Sequence, residues 1–439
     1  MLLACSRRGP GPARAAAARP QKGARPGRGH RPRRTAAFRG ARPARSASQS
    51  ARSDKPVPRG EDRMKPIGNG RISARQFKIM IVFSLIGDSI LILPNLMGNI
   101  SHQDAWLSQL AAIACGMALA WAYAALLGRL GRLSFVGAWT ALLGRIAGSA
   151  LGLVYAYGFY AMVLALLAEI SLFMRAQMMR ETPAEAIMLA FLIVIAAGLR
   201  YGIETFARTS ELLYPIFIAM FLFLSLCLLP QIKADQLLPI AGAGMPQIAE
   251  GSFLSFAYGF LESAVLLMLT PYLEDDRKAA RSAIFNGFLT GGLMLFLILL
   301  LCVLVLGPSM MELKHYPTFQ LAQRIEIGRF LERLEALLTF LWIVTVFYKA
   351  LLYSFSLQKT ISEIAQLQDD RILAMPLCLL MLAGGMISVP NIAAYNELIK
   401  AQFPYYDLIL YLGGPLLLLL LLAFPAARRR LEARQPRAG

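Results

Sequence analysis

Gly87-Asp88-Ser89-Ile90-Leu91-Ile92-Leu93-Pro94 interrupts an apolar run that extends from Ile79 to Met97. A helix needs about 20 apolar residues to cross the roughly 30 Å hydrocarbon core of a bilayer, and this run is long enough. Its middle does not suit a plain span. An acid at that depth costs roughly 2.5–3.5 kcal/mol on insertion scales and usually has a function. Glycine and proline let the helix unwind, and unwound backbone is tolerated there only where protein buries it or it lines a cavity. Two readings are open: a broken helix that forms part of a small-molecule site, or a Pro-kinked packing helix whose Asp88 is neutralised by a neighbour.

The rest of the chain fixes the class. Of 439 residues, 57% are hydrophobic and the mean hydropathy is +0.53, well outside the balance of a soluble domain. Strand-period alternation is absent, which excludes a membrane barrel. Cys5, Cys115, Cys227, Cys302 and Cys378 show no CxxC spacing, and His30, His102 and His315 are not paired at ligand spacing. Neither a disulfide framework nor a metal centre is expected, and no cofactor. No GxSxG, HExxH or phosphate-loop motif occurs, so an enzyme is not expected.

The net charge of +19 is concentrated at one end. Residues 1–71 hold 19 of the 45 Lys and Arg but only 3 of the 26 Asp and Glu. Residues 1–70 are rich in Arg, Ala, Pro and Gly without apolar periodicity, and are expected to be a disordered basic extension. Three readings stay open for it: an arm for nucleic acid or anionic lipid, an Arg-rich targeting peptide, or sequence upstream of a true start at Met64.

Ten apolar segments follow, at about 75–98, 105–128, 150–174, 184–200, 211–230, 247–271, 283–307, 334–358, 372–389 and 405–425. The expectation is an all-α polytopic membrane protein of ten helices over residues 71–427, with a basic tail at 428–439. Fifteen flanking Lys and Arg lie on the side shared by both termini against eight on the other, which predicts cytoplasmic termini. Splitting the ten into two fives pairs the first segment with the sixth, which also carries glycines and a mid-membrane acid: Gly251, Gly259 and Glu262. Interruptions at corresponding positions of two halves point to a transporter-like binding site at broken first and sixth helices. Lys349 stands inside the eighth segment. A lysine at depth loses its proton or finds an acid, and in this arrangement it would face Asp88 and supply the charge that other such proteins obtain from sodium. A purely structural ion pair is the alternative.

Several strings then add up. Ile72-Ser73-Ala74-Arg75-Gln76, Ile86-Gly87 with Pro94, Asp104-Ala105-Trp106, Glu211-Leu212-Leu213-Tyr214-Pro215, Glu262 with Pro271-Tyr272, Tyr316-Pro317-Thr318, Gly328-Arg329-Phe330-Leu331-Glu332-Arg333 and Lys349 occur in this order. In that order they resemble the B subunit of spore germinant receptors, the spore-permease family of the amino acid–polyamine–organocation superfamily. The sequence departs from the family pattern at Leu261, where a glycine is usual, and at Arg329, where an acid is usual. The basic extension has no counterpart.

The resemblance implies a leucine-transporter-like fold of five plus five helices. It implies an integral subunit of the inner spore membrane that senses a nutrient, commonly an amino acid, and triggers germination with an A-type membrane subunit and a C-type lipoprotein. An amino acid permease is the alternative, and nucleic acid is not an expected partner. The amino acid's carboxylate would meet the free amides beyond Gly87, with Ser89 and Ile90 in the same turn. Its ammonium would meet carbonyls near Phe256–Gly259, helped by Asp88 or Glu262, while Lys349 compensates charge.

Overall fold

The first helix, α1 (Ala74–Ile86), begins at a capping box. The Gln76 amide donates to Ser73 Oγ at 3.2 Å, and the Ser73 amide donates to Gln76 Oε1 at 3.0 Å. Two orphan donors at the helix start are thereby satisfied reciprocally, which explains why a serine and a glutamine recur three residues apart in this string. Just before it, Ile72 forms an isolated parallel bridge with Leu273. The Ile72 amide donates to Tyr272 O at 2.8 Å, and the Glu274 amide donates to Ile72 O at 3.1 Å. The Gln76 side chain also donates to Glu211 Oε2 at 3.1 Å. Three strings that are far apart in sequence therefore meet at one end of the bundle.

The computed structural model describes residues 70–325, 334–388 and 402–435. The basic extension before Gly70, the Gly328–Arg333 string and the last four residues of the expected tail lie outside them. Among the described residues, nine helices are long and apolar enough to cross a membrane, and the bent pair α1 and α2 (Ser89–Ile100) makes a tenth. The two halves of that pair meet at 40°. The expected count of ten thus holds, and the architecture is all-α.

The succession continues with α3 (Ala105–Leu130), α4 (Phe135–Leu143), α5 (Arg145–Gln177), α6 (Ala184–Tyr201), α7 (Ile203–Leu228) and α8 (Met245–Gly259). After α8 the chain tightens into a 3₁₀ stretch over Leu261–Tyr272. Then come α9 (Arg277–Leu301), a π turn at Cys302–Leu306, and two short helices, α10 (Pro308–Leu313) and α11 (Pro317–Gln323). The second half closes with α12 (Glu335–Ala365), α13 (Ala374–Ser388) and α14 (Phe403–Asp407), then a π stretch at Leu408–Gly413, α15 (Gly414–Leu421) and α16 (Pro425–Ala433).

Burial sorts these spans by place. The sixth, Met245–Tyr272, is 89% buried over its most apolar window, whereas Ala184–Tyr201 is only 28% buried. The sixth is therefore central, and α6 shows most of its surface to lipid. Around that centre α1 packs on α9 and α12, α3 on α8 and α9, and α5 on α12. The nine-residue α4 was not expected. Ser134 starts it by accepting from the Gly137 amide at 2.8 Å, and its length is too short for a hydropathy scan to find as a span.

Prolines free carbonyls in these helices, because each removes the amide that would bond four residues back. In lipid such a carbonyl needs another partner, and hydroxyls from distant segments supply it. Pro94 frees Ile90 O, and Thr318 donates to it at 2.6 Å. Pro415 frees Tyr411 O, and Tyr123 donates to it at 2.6 Å.

Candidate functional site

The break between α1 and α2 falls on Gly87 and Asp88. The Gly87 amide still closes α1 by donating to Phe83 O at 2.9 Å. Beyond it the pattern slips: the Leu91 amide donates to Asp88 O at 3.0 Å instead of reaching Gly87 O. Gly87 O accepts instead from the Thr345 hydroxyl at 3.2 Å. Asp88 makes no side-chain cap on α2.

The Asp88 carboxylate turns to Lys349. Lys349 Nζ is ion-paired with Asp88 and, at the same time, with Glu262. The three side chains are all but sealed from solvent, at 0% exposed for Lys349, 4% for Asp88 and 1% for Glu262. One lysine on α12 therefore joins the break of the first span to the α-to-3₁₀ transition of the sixth. A charge in such surroundings is tolerable only when paired, which accounts for the three occurring together.

The second half of the site differs in detail from the expectation. The sixth span stays α-helical through Gly259, and two of the Phe256–Gly259 carbonyls are already taken. Phe256 O accepts from the Phe260 amide at 3.0 Å, and Tyr258 O accepts from the Ser89 hydroxyl at 3.0 Å. The change begins at Leu261, which is completely buried and occupies the position where a glycine is usual. The following turns open at other carbonyls: Glu262 O accepts from Tyr353 at 2.7 Å. A 3₁₀ stretch inside a longer helix commonly marks strain or a hinge.

The other predicted residues sit around this junction. Ile90 is buried and its carbonyl is the one held by Thr318. The Phe256 ring is half-buried and stacks on that of Phe260 with centroids 6.5 Å apart. A Cβ added at Gly259 would meet only Leu295 Cδ1 at 3.5 Å, an ordinary contact, so this glycine is not needed for close approach. Gly87 is: a Cβ there would meet Lys349 Cδ at 2.5 Å. The group that crowds Gly87 is thus the lysine stem. Glu169, on α5, is also buried, at 1% exposure.

Asp407 is the residue that sequence reasoning missed. It ends α14, just before the π stretch, and is 1% exposed. Both of its carboxylate oxygens are buried without a hydrogen-bond partner among the described residues. The π stretch that follows it packs against the 3₁₀ stretch that carries Glu262, and Asp407 lies within electrostatic reach of Lys349, Asp88, Glu262 and Tyr258. The signal was present, an acid two residues into the 405–425 apolar run, but at a segment edge it passes for an interfacial residue.

No group of three or more His, Cys, Asp or Glu placed to hold a metal ion occurs among the described residues. An apolar cavity of about 500 Å³ between α5, α6, α7 and α12 is lined by Ile170, Met174, Phe191, Leu213, Phe347 and Tyr348. It contains none of the predicted site residues.

The fold and the lysine-bridged break define a transporter-like integral membrane protein. Among solved structures, MhsT in complex with L-phenylalanine is similar with a TM-score of 0.53 at 14% identity, covering 81% of this chain and 94% of that one. A mutant of the Eremococcus coleocola manganese transporter is similar with a TM-score of 0.50, covering 87% and 84%. At this identity the likeness is one of fold, that of the leucine-transporter class. A family model described as spore germination protein, spore permease, matches residues 71–391, and the chain belongs to that family. It is 25% identical to spore germination protein KB of Bacillus subtilis over 366 residues, 82% of this chain and 96% of that protein. It is 25% identical to spore germination protein GerLB of Bacillus cereus, over 66% of this chain and 79% of that one. The protein is thus a permease-like membrane protein of the germination family.

Proposed function

We propose that this chain is the nutrient-sensing membrane subunit of a spore germinant receptor in the inner spore membrane, and that the nutrient is an amino acid bound at the Gly87–Asp88 break. The observation that carries the reading is Lys349 held between Asp88 and Glu262. Two interrupted spans converge on one buried, charged junction, the usual place for a substrate in this class of fold. The first turn of α2 offers backbone amides and a positive dipole end for a carboxylate. Lys349 already fills the junction with a covalently held cation. A ligand then shifts an equilibrium between packings without carrying an ion through, which suits a sensor.

The reading extends to a complex with an A-type membrane subunit and a C-type lipoprotein, with both termini in the cytoplasm. Relatives named as germination proteins and the order of the motif strings support it. A second reading, amino acid secondary transport, is favoured by the likeness to MhsT, whose solved form holds L-phenylalanine. Two measurements separate them. Spores lacking this gene should lose the response to one or a few amino acids and regain it on complementation. Proteoliposomes carrying the purified chain should show no concentrative uptake of those labelled amino acids. Normal germination of the deleted spores on every amino acid overturns the receptor reading, and concentrative uptake establishes the transporter.

A further inference from the structure

We infer that Asp407 is the acceptor for a cationic group of the ligand, a primary ammonium. The inference rests on the reading of an amino acid ligand at the Gly87–Asp88 break.

The argument starts from the charges. Asp88, Glu262 and Asp407 are three buried acids within electrostatic reach of one lysine. Lys349 Nζ is already ion-paired with Asp88 and with Glu262. No described residue donates to either oxygen of Asp407. An unpaired buried carboxylate is among the most costly groups a membrane protein can hold. Such a group in a transmembrane segment normally faces a partner, and here the described residues provide none.

Three kinds of cation can meet that need: a metal ion, a proton, or an ammonium that arrives with the ligand. A metal ion has no set of three ligating side chains among the described residues. A proton removes the charge but leaves a buried carboxyl whose O–H and carbonyl oxygen still lack hydrogen-bond partners among the described residues. An ammonium needs only acceptors, and Asp407 offers two oxygens. The hydroxyl of Tyr406, the preceding residue, is likewise buried without a hydrogen-bond partner among the described residues. The π stretch at Leu408–Gly413 begins directly after Asp407, and such π turns recur at functional sites because they leave the backbone pattern incomplete. The first turn of α2 offers the opposite polarity. The two ends of a zwitterion therefore find opposite partners, the carboxylate at α2 and the ammonium at Asp407.

The test uses the purified full-length chain in lipid nanodiscs and reads its thermal midpoint with each L-amino acid. Any stabilising amino acid is then compared with its α-hydroxy acid analogue, which replaces the ammonium with a hydroxyl. In the wild type the amino acid should stabilise and the hydroxy acid should not. Asp407→Asn should weaken the amino acid's apparent affinity about tenfold or more and erase the discrimination, and Asp407→Glu should restore part of both. An Asp407→Asn chain stabilised by the same concentrations as the wild type overturns the assignment of Asp407 and leaves the amino acid site standing. Equal stabilisation of the wild type by the amino acid and the hydroxy acid also overturns it, and this arm holds even if no Asp407 variant reaches the membrane. A wild type stabilised by no amino acid overturns this inference together with the reading beneath it.

Discussion

Lys349 Cδ lies where a side chain at Gly87 would begin: a Cβ built on Gly87 would stand 2.5 Å from it and 3.2 Å from Ser84 O. The glycine of the broken helix is therefore the seat of the lysine stem. A larger residue must push aside the side chain whose charge holds Asp88 and Glu262.

Gly87→Ala is expected to cost about 1–3 kcal/mol through overpacking, and Gly87→Leu more. Both should reach the membrane but lose the nutrient response, because the ion pairs cannot form in register. The check is germination dose–response with immunoblots of the same spores. A Gly87→Leu strain with wild-type subunit levels and wild-type sensitivity would show that the break is not the site.

Lys349→Met removes one cation from two acids. Breaking a buried pair in this way costs roughly 3–5 kcal/mol. The variant should be poorly assembled, and Asp88→Asn with Glu262→Gln in the same chain should recover much of its thermal midpoint in detergent. Equal midpoints for Lys349→Met and the wild type would deny the pairs any structural weight.

Thr318→Val leaves Ile90 O without its donor, at about 1–3 kcal/mol. Pro94→Ala restores the helical amide that Pro94 removed. The two changes should therefore couple: the loss from Thr318→Val should be smaller in the Pro94→Ala background. Additive effects in this double-mutant cycle would mean that the hydroxyl does not stand in for the missing amide.

Asp275 gives a pH dependence outside the membrane core. It accepts from Arg71 at 2.9 Å and from Arg132 at 3.1 Å. The hydrogen bonds from Arg71, then those from Arg132, hold its carboxyl below the ordinary value. With the folded value depressed, the contribution is present above the unfolded value of about 3.9 and is lost as pH falls through the folded one. Asp275 is exposed, so the effect should be small and should fade with salt. Thermal midpoints between neutral and acid pH should fall less steeply for Asp275→Asn than for the wild type. Superimposable profiles at low salt would remove the pairs from the account.

The class of fold was legible because hydropathy is a local property: ten apolar runs predicted ten spans. The first break was legible because glycine, acid and proline crowd into eight residues. Lys349 stood out as a lone charge in an apolar run, and its need for an acid followed from the cost of burying it. The sixth break was read a turn too early, since Gly259 attracts the eye while the change of winding begins at Leu261. Asp407 was hidden by its place near a segment edge. The hydroxyl contacts were beyond reach in principle, since Thr318 and Ile90 are 228 positions apart and Tyr123 and Tyr411 are 288 apart.

Those hydroxyls also limit how the molecule can change shape. Thr318 and Thr345 each meet one carbonyl on another element, and Tyr123 meets two, at fixed addresses along the axis. Sliding one helix past another by a residue would leave those carbonyls stranded in hydrocarbon, where water cannot replace the lost bond. Gradual creep is therefore forbidden and tilting about the breaks is allowed, so these elements behave like the teeth of a ratchet. Under the proposed receptor role, a signal passed through such a body is a jump between seated positions.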